Sequence, residues 1–363
     1  MGFQYLTNTP LDEAREKYFG TLRNNGLAPE PETVRTVDAS GRVSYRAVYA
    51  RICAPHYHAC AMDGVALAAS LTFGATETTP VELPEGAYVP VDTGDPLPPG
   101  CDAVIMAEEI EPLPGGGIRL RRDRGWAWIC PDEKRPLCRI VSESTDAEFA
   151  GELCDFCEDI CAGEMILPSR TEIGPSALGA MLAAGVLECE VCRRPVVGII
   201  PTGDELVPPC EAPGEGEVVE FNSSIFAAML RGWGALPRCY GIVPDEPGAV
   251  SAALERALSE CDAVILGAGS SAGRDDLSAA AIASAGEVLF HGLAIRPGKP
   301  AILGLRGKQP ILGLPGYPVS AIIVLEELMR PVLGLYTGIV PGGEARQAEA
   351  RLGRGIVSGL KYR

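Results

Sequence analysis

The chain of 363 residues lacks any apolar run near the roughly 18 to 20 residues that a membrane-spanning helix needs. Its N-terminus also lacks the basic segment, apolar stretch and small-residue cleavage site of a secretory signal. We therefore expect a soluble protein in the cytoplasm. Basic residues are outnumbered, since 31 Lys and Arg face 48 Asp and Glu, and the net charge is -17. This balance disfavours nonspecific binding to nucleic acid or to an anionic membrane.

Histidine is scarce as well, with only three in the chain. His56 and His58 lie two positions apart, but no third metal ligand accompanies them, so we interpret them as surface or packing residues. The 13 cysteines are an odd number, which does not fit a complete disulfide framework in a cytosolic chain. We expect reduced thiols, many of them packed as small apolar side chains.

Two cysteine pairs, Cys154 with Cys157 and Cys189 with Cys192, have the two-residue gap of a zinc knuckle. The segment 187–192 alternates in the manner of a strand, however, and a strand would place Cys189 and Cys192 on opposite faces. A knuckle needs both thiols on one side, so we favour solvated or core thiols over structural zinc.

The length of the chain exceeds that of one usual hydrophobic core, which predicts two or more domains. Residues 11–24 predict a helix that follows Pro10 and ends before Asn25-Gly26. Residues 48–168 are rich in Gly, Pro and short β-like runs, which predicts a smaller, mostly β module with a charged surface excursion at 131–151. A helical apolar repeat over 173–184 then ends at Gly185.

From Pro195 onward, short apolar runs alternate with amphipathic segments, which predicts a doubly wound α/β domain with a parallel sheet. The predicted strands cover 196–200, 239–243, 263–266, 301–304 and 311–314, and the predicted helices cover 223–231, 249–259 and 319–328. After Gly342-Gly343 only about 20 residues remain, too few for an independently stable domain. We therefore expect that part of the last domain is missing from this chain.

Four polar loops follow predicted strands of this domain, at the sheet edge where open α/β sheets bind their ligands. They cover residues 201–206, 267–276, 296–300 and 314–318. Asp204 and Glu205 in the first loop offer the oxygen ligands that Mg²⁺ prefers. The glycine-rich second loop, Lys299 in the third and the helix start near Ser320 after the fourth all suit phosphate. Together the loops predict a phosphate-rich ligand bound with a metal.

Short motifs continue in a fixed order along nearly the whole chain. They are Ala61-Met62-Asp63-Gly64, Thr93-Gly94 with Pro96-Leu97-Pro98, Glu158-Asp159-Ile160, Thr202-Gly203-Asp204-Glu205-Leu206, Asn222-Ser223, Gly241-Ile242-Val243-Pro244-Asp245, Pro297-Gly298-Lys299-Pro300 and Leu314-Pro315-Gly316. In these motifs and their order the chain resembles the molybdopterin molybdenumtransferases, the family that includes the bacterial molybdate-insertion enzymes and the C-terminal part of gephyrin.

The resemblance implies that the protein inserts molybdate into adenylylated molybdopterin and releases AMP, with Mg²⁺ assisting. It implies catalytic roles for Asp63, Thr93, Asp159 and Glu205, and Asp204 with Glu205 is the expected metal site. The substrate-binding residues that we expect are Thr202, Gly203, Asn222, Gly267, Gly269, Ser271, Gly273, Asp276, Lys299, Pro315, Gly316 and Ser320.

The resemblance also implies four structural parts. These are an elongated linker domain of residues 1–50 and 154–193, a β-rich inserted domain of 51–153, a molybdopterin-binding α/β domain of 194–336, and the start of a C-terminal β-barrel at 337–363. Members of the family are homodimers in which the β-rich module of one subunit completes the active site of the other. Asp63 and Thr93 would then face the α/β domain of the partner subunit. The upstream adenylyltransferase is a further expected partner.

The chain departs from the family pattern at several positions, and the first is the glycine-rich loop, where Gly267-Ala268-Gly269 replaces the usual two adjacent glycines. Arg274 stands where the family has an acidic residue, Arg296 replaces a usual Lys, Tyr317 replaces a usual Asn, and Cys157 stands where Gly is common. Two alternatives stay open. One is the adenylyltransferase that shares the α/β domain, although the module with Asp63 argues against it. The other is a noncatalytic molybdopterin-binding or scaffold protein, motivated by Arg274 and the missing barrel.

Overall fold

The computed structural model describes residues 8–60, 62–121, 153–154, 159–209, 212–267 and 277–340. The predicted excursion at 131–151, the predicted barrel residues after 340, and Cys157 and Arg274 lie outside this part of the chain. The strands, in chain order, are β1 Pro31–Arg35, β2 Val48–Tyr49, β3 Ala59–Cys60, β4 Gly64–Leu67, β5 Val81–Leu83, β6 Val89–Val91, β7 Ala103–Met106, β8 Ile110–Pro112, β9 Ile118–Leu120, β10 Leu153–Cys154, β11 Met165–Leu167, β12 Glu188–Cys192, β13 Val196–Pro201, β14 Leu206–Val207, β15 Val218–Val219, β16 Leu236–Cys239, β17 Ala263–Gly267, β18 Glu287–His291, β19 Ile302–Arg306 and β20 Gln309–Leu314.

The α-helices are α1 Leu11–Asn24, α2 Pro175–Ala183, α3 Asn222–Gly232, α4 Pro247–Glu260, α5 Leu277–Ala285, α6 Pro318–Val324 and α7 Arg330–Thr337. A π-helical turn at Leu325–Met329 joins α6 to α7. Single 3₁₀ turns occupy Thr36–Asp38, Ala69–Thr72 and Ala107–Glu109. Among the described residues, no helix is long and apolar enough to cross a membrane.

A six-stranded sheet forms the centre of the α/β region, in the order β16-β13-β17-β20-β19-β18. Side chains of its strands alternate between two cores, so that Ala263 and Ile265 pack on one face and Val264 and Leu266 on the other. Helices α1, α3, α6 and α7 cover the first face, and α4 and α5 cover the second. Helices on both faces confirm the predicted doubly wound α/β arrangement.

The prediction of a wholly parallel sheet is wrong at β19, which runs antiparallel to both of its neighbours. Only Gly307 and Lys308 separate β19 from β20, and Gly307 has a φ of 60°. A two-residue turn makes a hairpin, whereas a parallel connection needs a crossover of about a dozen residues or more. Because β19 starts beside the end of β20, the loop before β19 still reaches the ligand edge of the sheet.

Two further details differ from the sequence prediction. The strand expected at 239–243 is β16, which ends at Cys239, because its parallel pairing partners in β13 are Val196 to Ile199. The edge strand β18 was not predicted. Its burial is only partial, so its sequence Glu-Val-Leu-Phe-His gives no strong apolar run.

The remaining strands form small antiparallel units. Two three-stranded sheets, β6-β4-β7 and β5-β9-β8, make up the predicted β-rich module, and they enclose apolar cores around Val65 and Val104. Strand β1 pairs with β12, and β2 pairs with β11 beside α2. Cys189 and Cys192 are buried in β12, where burial raises the pKa of both thiols.

Helix α1 packs on the six-stranded sheet, and the buried Tyr18 hydroxyl donates a hydrogen bond to the carbonyl oxygen of Gly304 at 2.8 Å. At the entry to β13, Arg193 donates to both carboxylate oxygens of Asp262, at 2.7 and 2.8 Å, and also pairs with Glu30. These contacts fasten the segments before β13 to the α/β region. The domain boundaries given above stay a prediction.

Candidate functional site

A cavity of about 390 Å³ opens at the carboxyl ends of β13 and β17, beside the loop after β20. Its wall combines apolar side chains with a few polar ones. The residues are Ile199, Pro201, Thr202, Glu205, Leu206, Val218, Val219, Glu220, Phe221, Asn222, Ser223, Phe226, Gly267, Gly316, Tyr317 and Pro318. Five of the predicted site residues therefore meet in one place: Thr202, Glu205, Asn222, Gly267 and Gly316.

Hydrogen bonds from Thr202 and the backbone conformation of Gly203 determine the shape of the loop after β13. The main-chain nitrogen and the hydroxyl of the buried Thr202 both donate to the carbonyl oxygen of Gly267, at 3.1 and 3.0 Å. Gly203 has a φ of 148°, and a Cβ at this position would lie 2.7 Å from a carboxylate oxygen of Glu205. Only glycine therefore lets the chain turn here and bring Glu205 to the cavity.

Carboxylates gather beside this loop. The backbone nitrogen of Asp245 donates to Oδ1 of Asp204 at 3.0 Å. Burial, followed by the negative charges of Asp204 and Glu205, raises the pKa of Asp245. Asp245 belongs to one of the motifs quoted above but was given no role there, and its closeness to Asp204 is a tertiary contact that the sequence does not reveal.

The same carboxylates do not form a closed metal site by themselves. In the part of the chain that the structure describes, no group of three or more His, Cys, Asp or Glu side chains is arranged to hold a metal ion. Mg²⁺ commonly binds through one or two carboxylates while its other ligands are waters and substrate phosphates. Asp204 and Glu205 fit that open kind of site.

The start of α3 forms the polar end of the cavity. The side-chain amide of Asn222 donates to the carbonyl oxygen of Gly316 at 2.9 Å, which ties α3 to the loop after β20. The Glu220 carboxylate accepts from the backbone nitrogen of Ser223 at 2.9 Å and so satisfies one of the free N–H groups in the first turn of α3. Oδ1 of Asn222 and Oγ of Ser223 are buried and have no hydrogen-bond partner among the described residues. Unpaired buried polar atoms cost free energy unless a ligand or water satisfies them.

Other predicted substrate-binding residues lie near this edge without lining the cavity. Gly203 and Pro315 belong to the loops that form it, and Ser320 lies in the first turn of α6. Lys299 is half-buried in the loop before β19, where its carbonyl oxygen accepts from the backbone nitrogen of Leu293 at 2.8 Å. The predicted residues Gly269, Ser271, Gly273 and Asp276 lie outside the described residues.

Asp63 and Thr93 form a separate pair on the β-rich module. Oδ1 of Asp63 accepts from the backbone nitrogen of Thr93 at 2.7 Å and from its hydroxyl at 2.8 Å. These two bonds lower the pKa of Asp63, so its carboxyl is charged at neutral pH. Both residues are exposed, and neither lines the cavity.

The loop that carries Thr93 is fixed from several sides. The backbone nitrogen of Gly94 donates to the carbonyl oxygen of Cys60 at 2.7 Å, and the hydroxyl of Tyr57 donates to the carbonyl oxygen of Gly94 at 3.1 Å. Asp159 is exposed, and its backbone nitrogen donates to the carbonyl oxygen of Ala54 at 3.0 Å. The tie from Tyr57 to Gly94 was not foreseen from the sequence, because it depends on how two loops meet.

Two sequence families match the chain. Residues 9–185 match the family described as "MoeA N-terminal region (domain I and II)", and residues 198–334 match the one described as "Probable molybdopterin binding domain". The first match includes Asp63 and Thr93. All the residues that line the cavity lie within the second match.

Individual relatives extend over most of the chain. Molybdopterin molybdenumtransferase 2 of Mycobacterium tuberculosis is 30% identical over 334 residues, which are 86% of this chain and 76% of that protein. The molybdopterin molybdenumtransferase of Haemophilus influenzae is 28% identical and covers 90% of this chain and 78% of its own length. The crystal structure of the molybdopterin biosynthesis moeA protein from Pyrococcus horikosii superposes with a TM-score of 0.72 at 27% identity, covering 92% of this chain and 81% of that one.

Proposed function

The chain belongs to the molybdopterin molybdenumtransferase family, and from that premise we propose that it inserts molybdate into adenylylated molybdopterin and releases AMP. The enzyme acts in molybdenum-cofactor biosynthesis, and its substrate is a pterin. The observation that supports the reaction most is the cavity at the sheet edge, which places buried unpaired polar atoms and the Glu205 carboxylate in one pocket. The family match over residues 9–185, outside the α/β domain, separates this proposal from the adenylyltransferase alternative.

The residues of the sheet edge bind and orient the substrate in this proposal. Thr202, Asn222 and Gly316 shape the cavity through their mutual backbone and side-chain contacts. Asp204 and Glu205 would hold Mg²⁺ together with the substrate phosphates, and Asp245 lies beside Asp204. A bound Mg²⁺ would neutralise phosphate charge and polarise the bond that is cleaved. It would also offset the negative charges of Asp204 and Glu205, which after burial raise the pKa of Asp245.

The Asp63–Thr93 pair supplies the second half of the site in the proposal. Asp63 orients the Thr93 hydroxyl by accepting a hydrogen bond from it, which leaves the hydroxyl oxygen free to accept from a ligand. Because the pair is exposed, it needs another surface to exclude water around the reacting groups. We propose that this surface is the α/β domain of a second subunit in a homodimer. The described contact of Asp159, from its backbone nitrogen to Ala54, assigns its side chain no step in the reaction, and its catalytic role stays a prediction.

The finer organisation belongs to the same proposal. The linker, β-rich and α/β domains keep the boundaries predicted above, and the enzyme works in the cytoplasm. Lys299 contributes a phosphate contact, and the substrate-binding roles of Gly269, Ser271, Gly273 and Asp276, which lie outside the described residues, stay predictions. Ser320 and Pro315 shape the helix start at the same edge.

The proposal is tested by the release of AMP from adenylylated molybdopterin by the purified chain with Mg²⁺, with and without molybdate. We expect AMP release that depends on molybdate and that chelation of Mg²⁺ suppresses. Binding of the substrate without AMP release would contradict the transferase proposal and favour a molybdopterin-binding protein. AMP release that is independent of molybdate would indicate simple hydrolysis instead.

A further inference from the structure

Cys53 and Cys161 lie opposite each other on two paired segments of the chain. The backbone nitrogen of Ala54 donates to the carbonyl oxygen of Ile160 at 2.9 Å, and the backbone nitrogen of Ile160 donates to the carbonyl oxygen of Ala54 at 3.1 Å. In an antiparallel pair, the residues next to such a mutually bonded pair also face each other. Opposed Cα atoms lie about 4.5 to 5.5 Å apart, which is within the range of roughly 4.4 to 6.8 Å that a disulfide requires.

The sulfur of Cys53 is held against the backbone next to Cys161. The backbone nitrogen of Ala162 donates to Sγ of Cys53 at 3.3 Å. Because this nitrogen is bonded to the carbonyl carbon of Cys161, the sulfur lies within about 6 Å of the Cα atom of Cys161. On the other side, the backbone nitrogen of Ala50 donates to the carbonyl oxygen of Glu164 at 2.8 Å, which keeps the same antiparallel register. The two cysteines therefore lie between two points at which the segments are paired.

The two thiols differ in their access to solvent. Cys53 is 5% exposed, whereas Cys161 is half-buried. Both side chains are thiols in the structure. A small oxidant in water can therefore reach Cys161, and Cys53 is placed to react with the product. An accessible thiol with a second thiol beside it is the arrangement found in redox-sensing cysteines.

The Cys53–Cys161 pair lies where the β-rich module joins the rest of the chain. Residues 54–160 separate the two cysteines, and they include both three-stranded sheets of the module. On the other side of the pair, β2 and β11 continue the antiparallel pairing beside α2. A covalent bond between the cysteines would therefore close the module into a loop at its point of attachment.

We propose that Cys53 and Cys161 are a modification site, at which hydrogen peroxide oxidises the two thiols to a reversible disulfide. The Cys161 thiolate attacks one peroxide oxygen and becomes a sulfenic acid, while the other oxygen leaves as hydroxide and takes up a proton to form water. The Cys53 thiol then loses its proton and attacks the sulfenic sulfur, whose hydroxyl leaves with that proton as a second water. The two thiols together lose two electrons, which reduce the peroxide. A dithiol reductant reverses the step by thiol–disulfide exchange.

Other cysteine pairs among the described residues fit this chemistry less well. Cys60 and Cys101 belong to one apolar cluster, but Cys60 is 0% exposed. Burial raises the pKa of both of these thiols, which lowers the fraction of the reactive thiolate. Cys189 and Cys192 are both buried in β12, and burial raises the pKa of these thiols as well.

The test maps disulfides by mass spectrometry after brief treatment of the purified full chain with hydrogen peroxide. Remaining thiols are blocked with iodoacetamide, and the chain is cut with trypsin, chymotrypsin and a glutamate-specific protease. These cleavages release peptides 52–57 and 159–164, in which Cys53 and Cys161 are the single cysteines. We expect the two peptides to be joined by a disulfide after peroxide treatment and to separate after dithiothreitol.

Single variants test the roles of the two thiols. Cys53→Ser leaves the sulfenic acid of Cys161 without its partner thiol, so the sulfenic-acid reagent dimedone should label peptide 159–164. Cys161→Ser should give neither a disulfide nor a dimedone label on peptide 52–57. Cys239→Ser is the matched control, because it removes an exposed thiol elsewhere in the chain and should leave the disulfide unchanged.

The disulfide should also change thermal unfolding. A crosslink that encloses residues 54–160 restricts the unfolded chain, so the oxidised chain should melt about 5 °C above the reduced chain. Cys239→Ser should show the same rise after oxidation, and Cys161→Ser should show none.

Several results would overturn the inference. These are a peroxide-induced disulfide that joins other cysteines instead, oxidation of Cys161 without a bond to Cys53, or a Cys53–Cys161 bond that forms only in the denatured chain. A dimedone label on Cys53 in the Cys161→Ser chain would contradict the assigned roles. Disulfide formation requires no catalytic turnover, so each of these results leaves the proposed function untouched.

Discussion

The cavity of the α/β region and the Asp63–Thr93 pair of the β-rich module differ most in their burial. The cavity is enclosed by its own strands and helix starts, and it contains buried polar atoms without partners. Asp63 and Thr93 are exposed, and each already satisfies the other. Under the proposed function the first region is the binding pocket, and the second becomes part of an enclosed site when the partner subunit covers it. A site divided in this way would make substrate binding separable from catalysis.

The largest expected effect comes from removing one carboxylate in each region. Asp63→Asn and Glu205→Gln should each lower molybdate-dependent AMP release by about a hundredfold or more, because groups that position or stabilise the transition state have effects of this size. Far-ultraviolet circular dichroism should show an unchanged fold, since both side chains are exposed. Glu108→Gln, an exposed carboxylate of the β-rich module, serves as the control. Near-normal activity of both variants would contradict the site assignment.

Arg193 lies outside the candidate site, and we expect its substitution to lower the stability of the fold. Its pairing with Asp262 is partly buried, with side-chain exposures of 35% and 24%. Arg193→Ala should lower the free energy of unfolding by about 2 kcal/mol, less than for a fully buried pair. Arg238→Ala breaks a pair in which Arg238 is 51% exposed and should cost under about 1 kcal/mol. If urea unfolding shows the same loss of unfolding free energy for Arg193→Ala and Arg238→Ala, the Arg193–Asp262 pair does not hold β13 in place.

The same pair predicts how stability depends on pH. Burial opposes the charge on Asp262, but hydrogen bonds from Arg193 and from the backbone nitrogen of Val196 outweigh it and lower the pKa of Asp262. The unfolded carboxyl has a pKa near 3.9, so its contribution to stability is complete above about pH 4 and is lost as the pH falls further. Urea midpoints between pH 3 and 7 should fall less steeply for Arg193→Ala than for the unmodified chain. If the urea midpoints of both proteins change equally with pH, the hydrogen bonds from Arg193 are not what lowers the pKa of Asp262.

The smallest expected effect concerns the loop that carries Thr93. Tyr57→Phe removes the hydrogen bond to the carbonyl oxygen of Gly94, which is exposed and contributes on the order of 0.5 to 1 kcal/mol. We expect kcat to fall about two- to fivefold with KM unchanged, because the cavity that binds the substrate is not affected. Tyr88→Phe, whose hydroxyl donates to the carbonyl oxygen of Gly116 in the same module, should leave kcat unchanged. An effect on KM alone would indicate that Tyr57 contacts the substrate.

Much of this arrangement follows from local sequence patterns. The short apolar run at 263–266 predicted β17, and Pro10 and Asn25-Gly26 predicted the limits of α1, because apolar runs and helix start and stop signals are local properties. The convergence of Thr202, Gly267 and Gly316 followed from the rule that ligands bind beyond strand ends. The reversed direction of β19 was missed because a short turn overrides the general expectation of a parallel sheet.

Other parts of the site depend on contacts between distant segments. The tie from Asn222 to Gly316 spans 94 residues, and it determines which amide atom stays unpaired. The exposure of Tyr317 likewise depends on where α6 begins beside α3. A sequence motif identifies such residues as candidates, but only the folded chain assigns each atom a partner.

The most direct test of a site divided between two subunits is complementation between inactive variants. Asp63→Asn chains are unfolded, mixed with Glu205→Gln chains and refolded together, and AMP release is measured. If each site combines Asp63 of one subunit with Glu205 of the other, half of the dimers are mixed and each holds one intact site, so activity returns to about a quarter of normal. Activity no higher than that of the separate variants would contradict the account, because sites within single chains gain nothing from mixing.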